Sequence, residues 1–436
     1  MISMKEYQQR RVDLAQRMPI DAVAVIPAQS DIVRNGDSHY RFRQDSDFYY
    51  LTGFNEPDAV LLVFAGSNGR SILFNRERHK EQEQWTGKRL GQSGAIDVLG
   101  VDEAWSLISL EQKLPEFLAE ARAIFYPLGR FPHFAKKLLK AWRALKGLGR
   151  RGVIAPESFY DLEPLLSEQR LFKSAAEIKL IERAVDLSIV AHERAMRACQ
   201  SASYEYQLEA ELLYAFTEGG CRSVAYDPIV ASGGNACVLH YTDNQQLLKP
   251  DALILIDAGG EFQNYAADIT RTFPKNGRFS EAQRNIYSIV LKAQTAGIAL
   301  VKPGCYWEEI QRTMVKVLTE GLIDCGILCG AVDELIEQEA YKPFYMHQSG
   351  HWLGLDVHDC GRYKQQGVWR QLEPGMVLTV EPGLYISEGQ EGVDERFWGI
   401  GVRIEDDILV TKEGHRNLSS ALAVDIDELE ALIRGE

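Results

Sequence analysis

LILIDAGGEFQNYAADITRTF, residues 253–273, consists of two β-rich apolar runs joined by a glycine-containing turn, the pattern of a β-hairpin. Each run carries one aspartate in an apolar setting, Asp257 and Asp268. With the turn centred between Phe262 and Gln263, the two fall directly opposite each other with side chains on one face. Carboxylates placed that way repel, so in a buried site they need a shared proton or a cation. Aspartate is also common beside turns, so the pair alone reads equally well as a surface hairpin.

More candidate ligands lie between residues 347 and 405. His347-Gln348-Ser349-Gly350-His351 has the HxxxH spacing of a zinc-binding helix, but Gln348 stands where that motif needs its general-base glutamate. The flanking glycines and the alternating WLGLDVH of residues 352–358 favour strand and loop over helix. Glu381 ends an apolar run in TVEPG, and Glu405 lies in GVRIED. Both sit among β-branched residues, where an unpaired charge is costly. Asp257, Asp268, His351, Glu381 and Glu405 thus form a set of five possible ligands, four of them carboxylates. Such oxygen-rich sets suit hard or borderline divalent ions, and bridging carboxylates hold two ions about 3.5–4 Å apart. Manganese is the first expectation, with cobalt or zinc as alternatives because availability decides among them.

Upstream of the hairpin, Ser174-Ala175-Ala176-Glu177 is a capping box, followed by Ile178, Ile181, Val185 and Ile189 at helical spacing. Residues 206–218, stopped by Gly219-Gly220, and residues 280–301, stopped by Pro303-Gly304, read as further helices. Strands dominate the end of the chain. A boundary near residue 170 is expected, giving an N-terminal domain 1–170 and a second domain 171–436. The first third alternates strand and helix signals. Residues 21–27 and 123–126 read as strands, and residues 59–64 and 72–74 as a hairpin with a tight turn at Asn68-Gly69. Residues 101–121 and 131–148 carry helical periodicity, which makes this an α/β domain. GLGRRG at 147–152 spells GxGxxG, but it follows a helix and opens none, so it reads as a helix stop and linker.

The 436 residues, 45% hydrophobic, suffice for two domains. No run of about 18 uncharged apolar residues suggests a membrane span, and the first twenty residues lack the apolar stretch of a signal peptide. Seven cysteines without a CxxC pair indicate neither a disulfide framework nor a thiolate zinc site, which suits the cytoplasm. Cys325 and Cys329 read as buried apolar filler. A net charge of −14 argues against a nucleic-acid partner. Asn417-Leu418-Ser419 matches a glycosylation acceptor, without meaning in a chain that carries no secretion signal.

These motifs resemble those of the pita-bread (creatinase and aminopeptidase) metallopeptidase family, specifically its Xaa-Pro aminopeptidase branch, over nearly the whole chain. In that family the metal ligands are the first aspartate of the DAG run, the aspartate of ADITRTF, the histidine of HWLGLDVHD and the glutamates of TVEPG and VRIEDD. They match Asp257, Asp268, His351, Glu381 and Glu405. RQDSDFYYLTGF, residues 43–54, is similar to the accessory domain of this branch, which methionine aminopeptidases lack. Gln348 and Ser349 depart from the commoner small and aliphatic pair, which implies altered loop packing with the metal retained.

The resemblance implies an α/β N-terminal domain followed by an α+β pita-bread catalytic domain. It also implies a two-metal hydrolase that releases the N-terminal residue from peptides with proline in second position. The ions acidify a water, and Glu381 takes its proton and passes it to the leaving nitrogen. His240 and His358 donate hydrogen bonds to the scissile carbonyl. Arg403, two residues from Glu405 on the same strand face, supports a ligand carboxylate with Tyr385 in its network, and His347 shapes the proline pocket. A dimer or tetramer is implied, in which Asp37, Trp85 and an arginine of the 150–151 pair edge a neighbouring subunit's site. An Xaa-Pro dipeptidase, restricted to two-residue substrates, shares fold and ligands. A non-catalytic module on this fold is a rival of another class, but such modules usually lack the ligands, and so does metal-free creatinase.

Overall fold

The structure, a computed structural model, describes residues 1–436. The chain divides into two compact units, Met1–Arg170 and Leu171–Glu436. The first is built on a six-stranded mixed sheet in the order Glu103–Ser106, Ser71–Asn75, Val60–Phe64, Ala22–Pro27, Ala123–Tyr126, Ser158–Asp161. Ala22–Pro27 is buried throughout, antiparallel to Val60–Phe64 and parallel to Ala123–Tyr126. Val60–Phe64 and Ser71–Asn75 pair as a hairpin, with Val63 opposite Ser71, so the connection is longer than the tight turn expected at Asn68-Gly69. Residues 101–121 are not one helix. Glu103–Ser106 pairs parallel with Ser71–Asn75, and helix is confined to a 3-10 turn at Leu107–Ser109 and the α-helix Leu110–Leu118. Pairing with the open sheet edge satisfies backbone groups there and brings Trp105 within 6.4 Å of the Phe117 ring. At the GxGxxG sequence, helix Pro132–Gly147 gives way to one 3-10 turn, Gly149–Arg151.

In the second unit, helices Ala175–Ala198 and Glu281–Leu300 both open on capping boxes, Ser174 with Glu177 and Ser280 with Gln283. Three small sheets carry or flank the carboxylate and arginine residues of the cavity. One orders Ile229–Ser232, Leu253–Asp257 and Thr270–Pro274; another orders Val377–Val380, Asp406–Val410 and His415–Asn417; the third pairs Gly383–Ile386 with Ile400–Arg403. The 253–273 segment is a hairpin whose register differs from the expected one. Its turn centres on Gln263 and Asn264, both left-handed at φ 50° and 67°, and Phe262 pairs with Tyr265. Asp257 therefore faces Thr270, not Asp268. Moving a turn centre by one residue moves each partner by two, so Asp268 keeps the face of Asp257 as its diagonal neighbour. Gly259 permits the crossing, because a Cβ there would lie 1.7 Å from the Ala267 carbonyl oxygen.

Glu405 joins this hairpin to the later strands. Its amide donates to the Thr270 carbonyl at 3.1 Å. Strand alternation turns Arg271 the other way, to donate to the Glu405 carbonyl and to Asp406 Oδ1, each at 2.7 Å. Residues 347–358 form no helix. His351 instead pairs with Thr379, whose amide donates to its carbonyl at 2.9 Å. Cys325 is partly buried and Cys329 exposed, which corrects their reading as buried filler; helix Trp307–Asp324 ends before either residue.

Candidate metal centre

Asp257 ends its strand, Asp268 precedes the next one, His351 follows Gly350 in a loop, Glu381 follows Val377–Val380, and Glu405 precedes Asp406–Val410. All five line one cavity of about 490 Å³, together with His240, His347, His358 and Arg403. Ligand atoms of Asp268, His351 and Glu405 lie within 4.8 Å of one another. His351 Nδ1 is 3.0 Å from its neighbour's carbonyl, that of Trp352, to which it donates. That bond fixes the tautomer and turns Nε2 toward Asp268 Oδ2 at 3.2 Å and Glu381 Oε1 at 3.8 Å. Gly350 allows the close pass, since a Cβ there would meet the Thr379 carbonyl oxygen at 2.1 Å. Supporting bonds reach the other candidate ligands as well. Arg403 Nη2 donates to Asp257 Oδ2 at 2.6 Å, and Thr270 Oγ1 donates to Glu405 Oε2 at 2.7 Å. Arg403 Nη1 also donates to the Tyr385 hydroxyl at 3.0 Å, which lies 2.8 Å from His347 Nε2. His347 Nδ1 donates to the Gln348 carbonyl, so Nε2 accepts from Tyr385.

Buried carboxylates dominate the electrostatics of the cavity. Burial, reinforced by Asp268 and Glu381, pushes Glu405 well above the usual carboxylate range. Burial takes Glu381 up to about 7, and burial with Asp257 alongside raises Asp268. Burial is the largest influence on Asp257 and would raise it, but the Arg403 guanidinium and the hydrogen bonds from Tyr226 and Arg403 together hold it low. Burial would lower His351, yet Asp268 and Glu381 take it up to about 9. Burial and nearby Arg403 take His347 down to about 4. Four carboxylates therefore share one cavity whose only lysine or arginine is Arg403. This donor set, oxygen-rich with one oriented imidazole, fits divalent cations.

Residues 179–412 match Metallopeptidase family M24, and residues 7–126 match Aminopeptidase P, N-terminal domain. The chain belongs to metallopeptidase family M24. This M24 chain is 44% identical over 434 residues to the Xaa-Pro aminopeptidase of Escherichia coli (strain K12), spanning 99% of this chain and 98% of that relative. The structure of Pseudomonas aeruginosa aminopeptidase PepP superposes with a TM-score of 0.98 at 46% identity, covering 100% of this chain and 98% of that one. Aminopeptidase P from E. coli with the inhibitor Pro-Leu gives 0.96 at 44% identity, covering 100% and 99%. The fold is accordingly an aminopeptidase P N-terminal domain and a pita-bread catalytic domain.

Of the remaining candidates in the M24 chain, Tyr385 stands behind the cavity, one hydrogen bond from both Arg403 and His347. Arg403 supports Asp257 rather than Glu405, its neighbour in sequence. Asp37 and Trp85 lie exposed in the N-terminal unit and are absent from this chain's cavity lining. Several contributors escape sequence reasoning. The Tyr226 hydroxyl lies 2.5 Å from both Asp257 Oδ1 and Asp268 Oδ1. Nothing in its local sequence marks it. Asp407 Oδ2 accepts from the Asp268 amide at 3.0 Å, while its buried Oδ1 has no partner. The tandem Glu405-Asp406-Asp407 was the available signal, since alternation puts the first and third on one face. Trp307, Tyr363 and Trp369 add an aromatic wall to the cavity.

Proposed function

We propose that the five ligands hold two divalent ions, manganese first, and that the chain uses them to release the N-terminal residue from peptides with proline second. Family membership and full-length similarity make it an Xaa-Pro aminopeptidase. The observation that carries the metal chemistry is the convergence of Asp257, Asp268, His351, Glu381 and Glu405 on one cavity. Ions held there would supply the positive charge that makes water a nucleophile at neutral pH and polarises the scissile carbonyl. Cobalt or zinc also suits the donor set.

The leaving nitrogen of an Xaa-Pro bond carries no hydrogen, so it must gain a proton to depart as an amine. Glu381, a carboxylate facing the same cavity, is placed to take a proton from the attacking water and deliver it there. His240 and His358 face the same cavity and donate to the carbonyl oxygen as its negative charge grows. Burial, with His351 and His240 nearby, lowers His358, so it donates as a neutral imidazole. Arg403 holds Asp257 and, through Tyr385, orients His347 at the proline subsite. Pro-Leu, held by the E. coli relative, is what remains when the first residue leaves an Xaa-Pro-Leu peptide. It supports a site open beyond the proline, against the dipeptidase reading.

A homodimer or homotetramer belongs to the same proposal, with Asp37 and Trp85 of one copy at a neighbour's cavity rim. Trp85 is 88% exposed in the single chain, a large apolar surface for a partner to cover. Seven unpaired cysteines suit a reducing cytoplasm, and no helix is long and apolar enough to cross a membrane. The test is hydrolysis of Arg-Pro-Pro and Arg-Pro by metal-stripped protein, with and without manganese, for wild type and Asp268→Ala. Manganese-dependent release of arginine from the tripeptide, abolished by the substitution, is expected. Cleavage of the dipeptide alone would move the assignment to a dipeptidase. Bound metal without cleavage of either would make the chain a binding module.

A further inference from the structure

Glu205, the first residue of helix Glu205–Glu218, is a fully buried carboxylate outside the metal centre. Its Oε1 accepts from the Ser232 amide at 2.8 Å, Ser232 Oγ at 2.7 Å and Asn235 Nδ2 at 3.1 Å. Its Oε2 accepts from the Tyr241 hydroxyl at 2.8 Å and the Gln246 amide at 2.9 Å. These donors bracket residue 240 on both sides. One helical turn on, Glu209 accepts from Asn244 Nδ2 at 3.0 Å, and Asn244 Oδ1 accepts in turn from the Val230 amide. Two carboxylates on one helix face thus clamp the segment 232–246.

That segment has little regular structure, a single 3-10 turn at Gly233–Cys237. The exposed ring of His240 makes no hydrogen bond to the protein, so its place at the cavity depends on the backbone that carries it. We infer that Glu205 is a positioning residue for His240, acting through Tyr241 and the loop to hold the imidazole where the scissile carbonyl arrives. The inference rests on the reading of His240 as a carbonyl donor. A carboxylate suits the task because it is acceptor-only, and every group converging on it is a donor. Glutamine has nearly the same shape but would turn one oxygen into an NH2 facing those same donors.

The experiment compares wild type, Glu205→Gln, His240→Ala and the double variant, all full-length and manganese-loaded, by kcat and KM for Arg-Pro-Pro. Bound manganese and the thermal midpoint are measured for each. Glu205→Gln is expected to lower kcat by about tenfold or more with KM little changed, because misplacing a catalytic group by about 1 Å costs up to ~10²-fold. On the His240→Ala background the same change should cost less than about twofold. Tyr241→Phe removes one donor beside His240 and should give a smaller fall of the same kind; it carries the test if Glu205→Gln does not fold. Additive losses, or a fall in kcat that tracks lost manganese, would overturn the inference and leave the role of His240 standing. Wild-type turnover in His240→Ala would overturn that role, and the inference with it.

Discussion

One hydroxyl, that of Tyr226, serves both aspartates of the centre. Burial and the two carboxylates raise it well above the ordinary phenol range, so it stays protonated and its hydrogen is available to orient their oxygens. Groups that orient metal ligands commonly change affinity by about 10–100-fold when removed. Tyr226→Phe is therefore expected to weaken manganese binding by roughly that factor with the fold kept, measured by titrating stripped protein. Unchanged affinity would reduce Tyr226 to packing. Asp268→Asn is expected to separate stability from function. It removes a proposed ligand, and with it turnover, but relieves like-charge crowding, so above about pH 9, where His351 no longer carries the charge that Asp268 pairs with, the metal-free variant should exceed metal-free wild type in unfolding free energy by on the order of 1 kcal/mol, measured by denaturant unfolding. The contrast with the sequence is sharpest among single residues. Asp257, Asp268, His351, Glu381 and Glu405 stand in apolar, β-branched contexts where their polarity is conspicuous. Tyr226 and Glu205 acquire their roles only through partners many residues away, and an ordinary-looking tyrosine or helix-start glutamate advertises nothing.

Among elements, the 253–273 hairpin was legible as a hairpin because its two apolar runs have strand composition. Its register was not, because the turn centres on Gln263 and Asn264, both left-handed, one residue beyond the centre expected between Phe262 and Gln263. Gly259 serves a backbone crossing. Gly259→Ala should drive the two aspartate-bearing segments apart, lowering both metal affinity and thermal midpoint; a folded variant with normal affinity would show that the crossing has slack. Residues 101–121 misled for another reason: an edge strand needs only a neighbour with free backbone groups, and that neighbour is set by the sheet, not by local periodicity. The segment after His351 is held by a buried ion pair, Lys173 Nζ to Asp359 Oδ2 at 3.0 Å, with both side chains 1% exposed. A Cβ at Gly354 would sit 2.3 Å from that Asp359 oxygen. Lys173→Met strands a buried carboxylate one residue from His358, and a stability loss of about 3–5 kcal/mol is expected in denaturant unfolding. A loss under about 1 kcal/mol would mean that the other contacts of Asp359 suffice.

For the molecule as a whole, the centre is a concentration of negative charge whose cost depends on protons when cations are removed. Asp268, Glu381 and Glu405 all rise on folding, Glu381 from 4.5 to about 7, so the folded metal-free chain retains protons that the unfolded chain releases. A carboxyl raised in this way contributes stability that is complete below its unfolded value and is lost as pH rises through the folded one. His351, raised from 6.5 to about 9, acts in the same direction: its contribution is present below 6.5 and gone above about 9. Asp257, lowered from 3.8, has the opposite sign, but its contribution is lost only as pH falls below that value. Below about pH 6.5 the buried histidines His192 and His347, each lowered to about 4, act in the opposite sense, so the metal-free chain should lose stability steadily from about pH 6.5 to about pH 9. Cations oppose the trend, because ligands bind them deprotonated and binding must expel the protons that His351 and part of the Glu381 population hold at neutral pH. Two measurements test this together: thermal midpoints of stripped protein across that range with and without manganese, and calorimetric titration in buffers of different ionisation enthalpy. A falling midpoint that manganese levels, with net proton release on binding, is the expected result. A flat metal-free profile with no proton release would mean that the crowded carboxylates are already balanced by charge within the protein, and the case for a two-ion centre would lose its electrostatic support.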